Sequence, residues 1–513
     1  MKMPNLKNIT IDDALKRTVE KYPSKNAITY LDKVWTYGDF DKTVELFSGK
    51  LITLGVNKGS HVGLIFETSP EMIFLIFAIL RIGGVVVMMN PDFHSKEISN
   101  LLKRTDVDFL ITEDHFDFLC SKKDYGVLKK TINFSGLKKD IKPDDFSLIS
   151  EMKRNVFPSD DAFILFTSGS TDLPKPVVIT HYSMVNSGLQ QGFDQGTTKD
   201  DKFCVAMPAF HCFCLSVNIM SAFFYGACIC IPESRHTETL LSEIEKNECT
   251  VFSSVPALFH AIISKDKYNE YNISSLRTGF IGGSPYPASL FKTVESSLGF
   301  TLLSSLGQTE ATAGFTVSFM DDSVEERSTT VGHFMPYIEH KFTEDGEICV
   351  KGYCVMKGYY NDPEETGHVI DTDGWLHTGD LGHINKNGNL VLDGRKKELI
   401  IRGGENISPL EIEAVVIERP EICEVKAVGV KDLHYGEEIA LCLVKSYMNG
   451  KDISEKDIKK IYESCLGKYK IPRYILFFNS LPKLPSGKID RSKLIHLAEK
   501  KITDKNTGDD EIE

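Results

Sequence analysis

The chain has 513 residues, of which 42% are hydrophobic and 26% charged, the balance of a globular protein long enough for several cores. Its formal net charge of −13 excludes a sequence-independent nucleic-acid binder, which needs a basic face. Small anionic ligands stay open, because a local cluster of cations overrides the total.

The opening Met-Lys-Met-Pro-Asn-Leu-Lys-Asn lacks the apolar core of a signal peptide. Residues 1–60 read as helical and polar, with a short hairpin at 27–35. Residues 61–66 read as a strand, 70–82 as a helix with Pro70 near its start, and 85–88 as the next strand. Residues 72–89 form the longest apolar run. Arg81 and Gly83-Gly84 interrupt it, so a buried helix and a buried strand are expected rather than a membrane span. Strand, helix and strand of this length suggest a right-handed parallel crossover, and residues 101–111 repeat the theme. The architecture is α/β.

An apolar run at 162–166 feeds a loop that packs Thr167, Ser168, Ser170 and Thr171 around Gly169 and adds Lys175 after Pro174. Residues 177–179 read as a strand leaving it, which makes the loop a hairpin tip. Hydroxyls and free backbone N–H groups on a Gly-containing loop form a concave donor surface for phosphate oxygens, and the lysine adds charge. The loop lacks the Walker G-x-x-x-x-G-K-[ST] pattern, and taken alone it also fits a plain surface turn. Further strands are expected at 203–207, 227–231, 250–254, 276–281 and 301–305, with helices at 215–225 and 240–247. Several of these strands end in Gly, Pro, Ser or His: Pro208-Ala-Phe-His211, Gly282-Gly-Ser-Pro285 and Leu306-Gly-Gln-Thr-Glu310. Ligands of open α/β sheets bind beyond the carboxyl ends of the strands, so these loops should converge on one crevice.

From Gly346 the elements shorten. Residues 347–351 and 376–384 read as β structure, and Asn387-Gly388 marks a hairpin. Residues 399–401 precede the turn Gly403-Gly-Glu-Asn406. Ser408-Pro-Leu-Glu411 reads as a capping box opening a helix that stops by Pro420. Strands at 425–430 and 439–444 and a helix at 454–466 follow, and the last fifteen or so residues read as frayed. The 12 cysteines include no C-x-x-C, which favours small buried hydrophobes over a metal site or disulfides and fits a reduced, cytoplasmic compartment.

Seven ordered motifs carry a resemblance over about residues 25–494: 167–175, Phe210-His211, Gly307-Gln-Thr-Glu310, Thr378-Gly-Asp380, Asp393-Gly-Arg395, Gly403-Gly-Glu-Asn406 and Pro485-Ser-Gly-Lys488. Together they resemble the adenylate-forming superfamily of acyl-CoA synthetases, luciferases and adenylation domains. Met356-Lys-Gly-Tyr-Tyr360 and residues 400–413 are most similar to the bacterial fatty acyl-CoA synthetases. The resemblance implies a large N-terminal α/β domain of stacked subdomains, residues 1–394, and a small mobile α+β C-terminal domain, residues 395–513. The hinge would lie near Lys397 and the active site between the domains. It further implies ATP, Mg²⁺ and CoA as ligands, and a carboxylic acid that becomes an acyl-adenylate and then acyl-CoA. A carrier protein in place of CoA, an aryl acid in place of a fatty acid, and a homodimer stay open. So does a nucleotide-binding regulatory protein without catalysis. Luciferase-type oxygenation is demanded by nothing in the sequence.

The implied roles follow residue by residue. Thr167, Ser168, Gly169, Ser170, Thr171 and Lys175 would hold the β- and γ-phosphates. Thr309 would bind the α-phosphate and Glu310 the Mg²⁺, although an acid in a first helical turn is also favoured by the dipole alone. Asp380 would accept from both ribose hydroxyls, with Arg395 beside it. Gly282, Gly283 and Ser284 would flank adenine. Lys488 would bridge the carboxylate and the α-phosphate, or else be an ordinary solvated lysine. His211 would lie beside the acid and later the thiol, or else be a satisfied core histidine. Lys397 would be the hinge, and Gly403 and Gly404 would let pantetheine pass. Three residues depart from the family pattern. Asp172 and Pro176 replace glycines, and Leu306 replaces an aromatic that stacks on adenine. The acyl pocket is expected from residues 210–217, 281–286 and 306–315. Apart from Glu310 these carry no carboxylate, and they carry no Arg or Lys, so an uncharged aliphatic tail should fit.

Overall fold

The computed structural model describes residues 3–116, 128–138, 146–167, 174–264, 267–446, 453–483 and 489–507. Two seven-stranded sheets and a four-stranded antiparallel sheet make up the large domain, and a five-stranded sheet makes up the small one.

In the first large sheet the parallel strands run Thr301–Ser304, Thr278–Ile281, Val251–Phe252, Lys202–Cys204, Cys228–Ile231 and Asn26–Tyr30, with Lys33–Thr36 antiparallel at the edge. The second runs Gly358–Tyr359, Lys175–Thr180, Asp161–Thr167, Val85–Met89, His61–Ile65, Phe109–Thr112 and Lys130–Asn133. Its centre is the expected parallel crossover: His61 pairs with Val85, and the helix Pro70–Arg81 connects them. That helix is buried nearly all round, as the uninterrupted apolar run from Met72 to Leu80 dictates. Phe77 packs edge-on against Phe40 and Phe223 at 5.3 Å each. Each such ring contributes about 1.5–3 kcal/mol by leaving water. The one cation on the helix, Arg81, is 2% exposed and bonds Asp12 at 2.7 Å and Asp41 at 2.6 Å, the pairing a buried charge requires.

The hairpin tip anticipated around the Ser/Thr/Gly loop is present. Strands Asp161–Thr167 and Lys175–Thr180 are antiparallel, and Thr167 stands opposite Lys175. In the small domain, Ile422–Asp432 and Gly436–Lys445 form one long hairpin, with Tyr474–Phe478 parallel to the latter.

Three expectations are corrected. The segment read as an α-helix at 215–225 is π-helical over Phe213–Met220 and α-helical only over Ser221–Tyr225. Apolar periodicity does not distinguish i→i+4 from i→i+5 bonding, and π turns cluster at functional sites. Ser408 does not close a capping box. Its hydroxyl donates instead to the carbonyl of Asp393, and the helix Pro409–Ala414 is short. The described residues beyond 499 do not fray, because the helix Arg491–Thr507 runs through them and packs Ile502, with Leu494 and Ala498 before it, against the cluster of Val428 and Leu481. Leu494, Ala498 and Ile502 recur every four residues, one face of a helix within a charged stretch. Eight of the described cysteines are buried as expected, whereas Cys423 and Cys465 are exposed and Cys212 is half-buried. No described helix is long and apolar enough to cross a membrane.

Candidate active site

A cavity of about 1470 Å³ opens where the strand ends of both large sheets meet. Its lining includes Thr167, Lys175, Phe210, His211, Gly282, Gly283, Thr309, Glu310, Thr378, Gly379, Arg395 and Lys397. Loops separated by more than 200 residues are thus brought together. The carboxyl ends of Lys202–Cys204, Thr278–Ile281 and Thr301–Ser304 do converge as the sequence suggested.

At one end, Thr309 and Glu310 occupy a single 3₁₀ turn, Thr309–Ala311. The Tyr359 hydroxyl donates to Glu310 Oε1 at 2.9 Å, and Glu310 O accepts from Met356 N at 2.8 Å. Burial, and then the Glu310 charge, push the Tyr359 hydroxyl well up, so it stays a donor. Thr309 Oγ1 lies 3.5 Å from Cys212 Sγ. Lys175 is paired with the Glu365 carboxylate and lies 5.1 Å from the Tyr359 ring centroid.

Along one wall, Asp380 and Arg395 face each other across adjacent strands. Arg395 Nε donates to Asp380 Oδ1 at 2.8 Å, while the buried Asp380 Oδ2 has no hydrogen-bond partner. Burial pushes the Asp380 carboxyl up, and the Arg395 guanidinium pulls the other way. Glu347 supports this corner. Its Oε1 accepts from Gly379 N at 3.0 Å, and its Oε2 lies 3.1 Å from Lys396 Nζ. A buried glutamate inside the strand Glu347–Gly352 was the available signal for it.

The third region is apolar. Phe210, Phe213, Val217, Val255, Leu258, Ala313 and Gly314 line the cavity, and Gly282 and Gly283 do too, so all three expected pocket segments contribute. His211 is on this wall, its ring 4.5 Å from that of Phe210. The expectation of a wall without Arg or Lys was too narrow. Arg235 and His236 also line the cavity from a loop that the three segments omit.

Other candidates are placed elsewhere. Ser284 and Leu306 are not among the lining residues. Leu306 is half-buried and packs against the cluster of Phe280, Leu303 and Phe315, between Ser305 and Gly307, which do line the cavity. Asp380 reaches the cavity rim through Gly379 and Arg395. Gly403 and Gly404 form the two-residue turn between Ile400–Arg402 and Glu405–Ile407. Their φ values of +62° and +88° explain the glycines as a type I′ turn. Ser168, Gly169, Ser170, Thr171, Asp172 and Lys488 lie outside the described residues. Pro176, the third departure, is in the strand opposite Phe166, where its carbonyl accepts from Tyr360 N at 2.8 Å. A proline at a strand start lacks a donor, and this one costs the sheet no carbonyl.

Residues 15–360 match the family of AMP-binding enzymes, and residues 411–488 match the C-terminal domain of AMP-binding enzymes. The chain belongs to the AMP-binding enzyme family. This AMP-binding enzyme is 32% identical to the putative acyl-CoA synthetase YngI of Bacillus subtilis, over 96% of its own length and 97% of that chain. It is 28% identical to the human mitochondrial medium-chain acyl-CoA ligase ACSF2, over 96% and 88%. Among solved structures it is similar to the O-succinylbenzoate CoA synthetase MenE of Bacillus subtilis. With the acyl-adenylate complex the TM-score is 0.80 and the identity 26%, covering 95% of this chain and 98% of that one. With the ATP and magnesium complex the TM-score is 0.79 and the identity 26%, covering 94% and 98%.

The residues present fit the nucleotide and its metal. The orphaned Asp380 Oδ2 is a buried acceptor that a ligand hydroxyl would satisfy. A Cβ on Gly282 would stand 3.1 Å from Ser305 O, so that strand end approaches its neighbour closely. No group of three or more His, Cys, Asp or Glu side chains among the described residues could hold a metal alone. A magnesium ion held mainly by substrate phosphates needs only one carboxylate, and Glu310, which lines the cavity, would supply it.

Proposed function

We propose that the protein is an AMP-forming acid–CoA ligase acting on a carboxylate whose tail is uncharged, mainly aliphatic and of medium length. The observation that supports this best is the single cavity. It brings Thr167, Thr309 and Lys175, the Glu310 carboxylate, Arg395 with its partner Asp380, and the apolar side chains of Phe210, Phe213 and Val217 to one space.

In the first half-reaction an oxygen of the substrate carboxylate attacks the α-phosphorus of ATP. The bond to the β-phosphate breaks, and pyrophosphate leaves. Negative charge crowds this transition state, so donors and cations placed there do most of the work. Lys175 and Thr167 flank the β- and γ-phosphates, Thr309 donates to the α-phosphate, and Lys488 bridges carboxylate and phosphate. Asp380 accepts from the ribose and Arg395 holds Asp380. Bound magnesium would neutralise charge on the phosphate oxygens, and the Tyr359 hydroxyl keeps Glu310 oriented. In the second half-reaction the CoA thiolate attacks the acyl carbonyl and AMP departs. Free CoA is the acceptor in this reading, and a carrier protein is the alternative.

The small domain turns about Lys397 between the steps. Lys396 and Lys397 stand at the cavity lip, and no described residue beyond Lys397 lines it. That placement agrees with a lobe able to present first Lys488 and then residues 403–406. Phe210, Phe213 and Val217 favour an aliphatic tail, and each methylene buried adds about 0.8 kcal/mol. Activity should therefore rise with chain length until the tail meets the pocket floor.

The test is AMP release with CoA over acetate to palmitate, benzoate and coumarate. A maximum at medium length supports the reading. A preference for a dicarboxylate would instead assign Arg235 to the second carboxylate and overturn the pocket assignment. Absence of pyrophosphate exchange with every acid would leave a nucleotide-binding protein without catalysis.

A further inference from the structure

The phosphate end of the cavity contains a carboxylate with no task in the mechanism above. Glu365 lies 190 residues from Lys175 in the chain, and its Oε2 accepts from Lys175 Nζ. That hydrogen bond, and then the lysine charge, hold the Glu365 carboxyl below its usual range. Its other oxygen, Oε1, lies 3.4 Å from His368 Nδ1. Glu365, His368, Lys175 and Tyr359 all line the cavity. The helix Pro363–Val369 fixes the position of Glu365, because Asp362 caps it by accepting from Glu365 N at 3.0 Å.

We propose that Glu365 is an internal stand-in for the terminal phosphates of ATP. It holds Lys175 when no nucleotide is bound, releases it to the β- and γ-phosphates, and takes it back as pyrophosphate leaves. The inference rests on the assignment of Lys175 to those phosphates. Three physical points support it. First, a carboxylate and a triphosphate repel each other, so they cannot share one ammonium at close range without cost. Second, Lys175 and Glu365 are 32% and 39% exposed, and a pair so accessible to water is weak. Exchange is therefore cheap, and lysine is a compact charge on a flexible stem that can change partner. Third, His368 leaves the carboxylate a polar neighbour once Lys175 has turned away. The consequence is selective: Glu365 weakens ligands that carry β- and γ-phosphates and ignores AMP.

Calorimetric titration with ATP and with AMP, in magnesium and without acid or CoA, tests this on four forms of the full chain. These are the wild type, Glu365→Gln, Lys175→Gln and the double variant, with melting temperatures confirming that each folds. Glu365→Gln should tighten ATP by about two- to fivefold, the range an accessible ion pair allows, and leave AMP unchanged. In the Lys175→Gln background the gain should vanish. An equal gain in both backgrounds would mean simple repulsion, and no gain in the wild-type background would mean no competition. Either result overturns the exchange while leaving Lys175 on the phosphates. If Lys175→Gln does not weaken ATP at all, the underlying assignment fails, and the exchange with it.

Discussion

Replacing Asp380 with asparagine keeps the shape of the side chain and removes its charge. Asp380 is 4% exposed, and Arg395 Nε occupies its Oδ1 at 2.8 Å. Only Oδ2, buried and without a partner, remains for a ligand. An amide would either point its NH₂ at Arg395 or present a donor to a hydroxyl that must then turn. A hydrogen bond to a charged group contributes about 1.5–3 kcal/mol. Its loss should therefore lower kcat/KM for ATP by roughly 10- to 150-fold. The assay is acid-dependent pyrophosphate release with ATP, 2′-deoxy-ATP and 3′-deoxy-ATP. Wild type should lose activity with at least one deoxy analogue. Asp380→Asn should lose little further with that same analogue, because the contact is already gone. If the variant falls by the same factor with all three nucleotides, Asp380 does not meet the ribose and serves only to hold Arg395. The pH dependence has a defined sign. Burial raises the Asp380 carboxyl, so affinity for ATP should begin to fall on acidification above the range of an ordinary aspartate.

Asp194 predicts a pH effect on stability. It is half-buried at the end of the helix His181–Asp194, its buried Oδ2 has no partner, and desolvation pushes its carboxyl up to about 7 despite a 2.9 Å bond from Gln190. A raised folded pKa gives stability that is full at low pH and lost as pH rises through about 7. Asp194→Asn should thus gain on the wild type between pH 5 and pH 7.5, by an amount on the order of 2–3 kcal/mol in chemical denaturation; a constant difference would refute it. Lys488→Ala should lose pyrophosphate exchange yet convert supplied acyl-adenylate to acyl-CoA, and equal loss of both half-reactions would remove Lys488 from the adenylation step. Leu306→Tyr should leave the KM for ATP unchanged, since Leu306, half-buried against the cluster of Phe280, Leu303 and Phe315, is not among the residues lining the cavity; a lower KM would place that side chain against adenine.

Much of this architecture was legible because local rules and packing agree. Pro70 opens the helix Pro70–Arg81, Asn387-Gly388 turns the hairpin between Leu376–Ile384 and Leu390–Arg395, and the apolar runs at 162–166 and 177–179 pair as read. The site was legible only through motifs at strand ends, which the fold gathers into one cavity. What stayed hidden depends on contacts remote in sequence. Ser408 matches the capping pattern, yet the carbonyl of Asp393, brought close by tertiary folding, takes its hydroxyl. Glu365 reads as an ordinary first-turn acid, and nothing local places it on Lys175. The packing of Leu306 against Phe280 and Leu303 is likewise set by folding, and a motif alone does not say which way a side chain turns. The π-helical turn at Phe213–Met220 has no signature in apolar spacing at all.

The distribution of cysteines offers a way to watch the two domains. Buried thiols such as Cys214, Cys354 and Cys442 are pushed up to about 12 by burial, so they react slowly with maleimides near neutral pH. The two exposed thiols among the described residues, Cys423 and Cys465, both belong to the small domain. Among the described thiols a dye would therefore react first on the lobe proposed to rotate, and a chain with Cys120 and Cys212 replaced by serine would confine the label there. Its emission or anisotropy, followed as ATP, acid and CoA are added in turn, would time the motion against the chemistry.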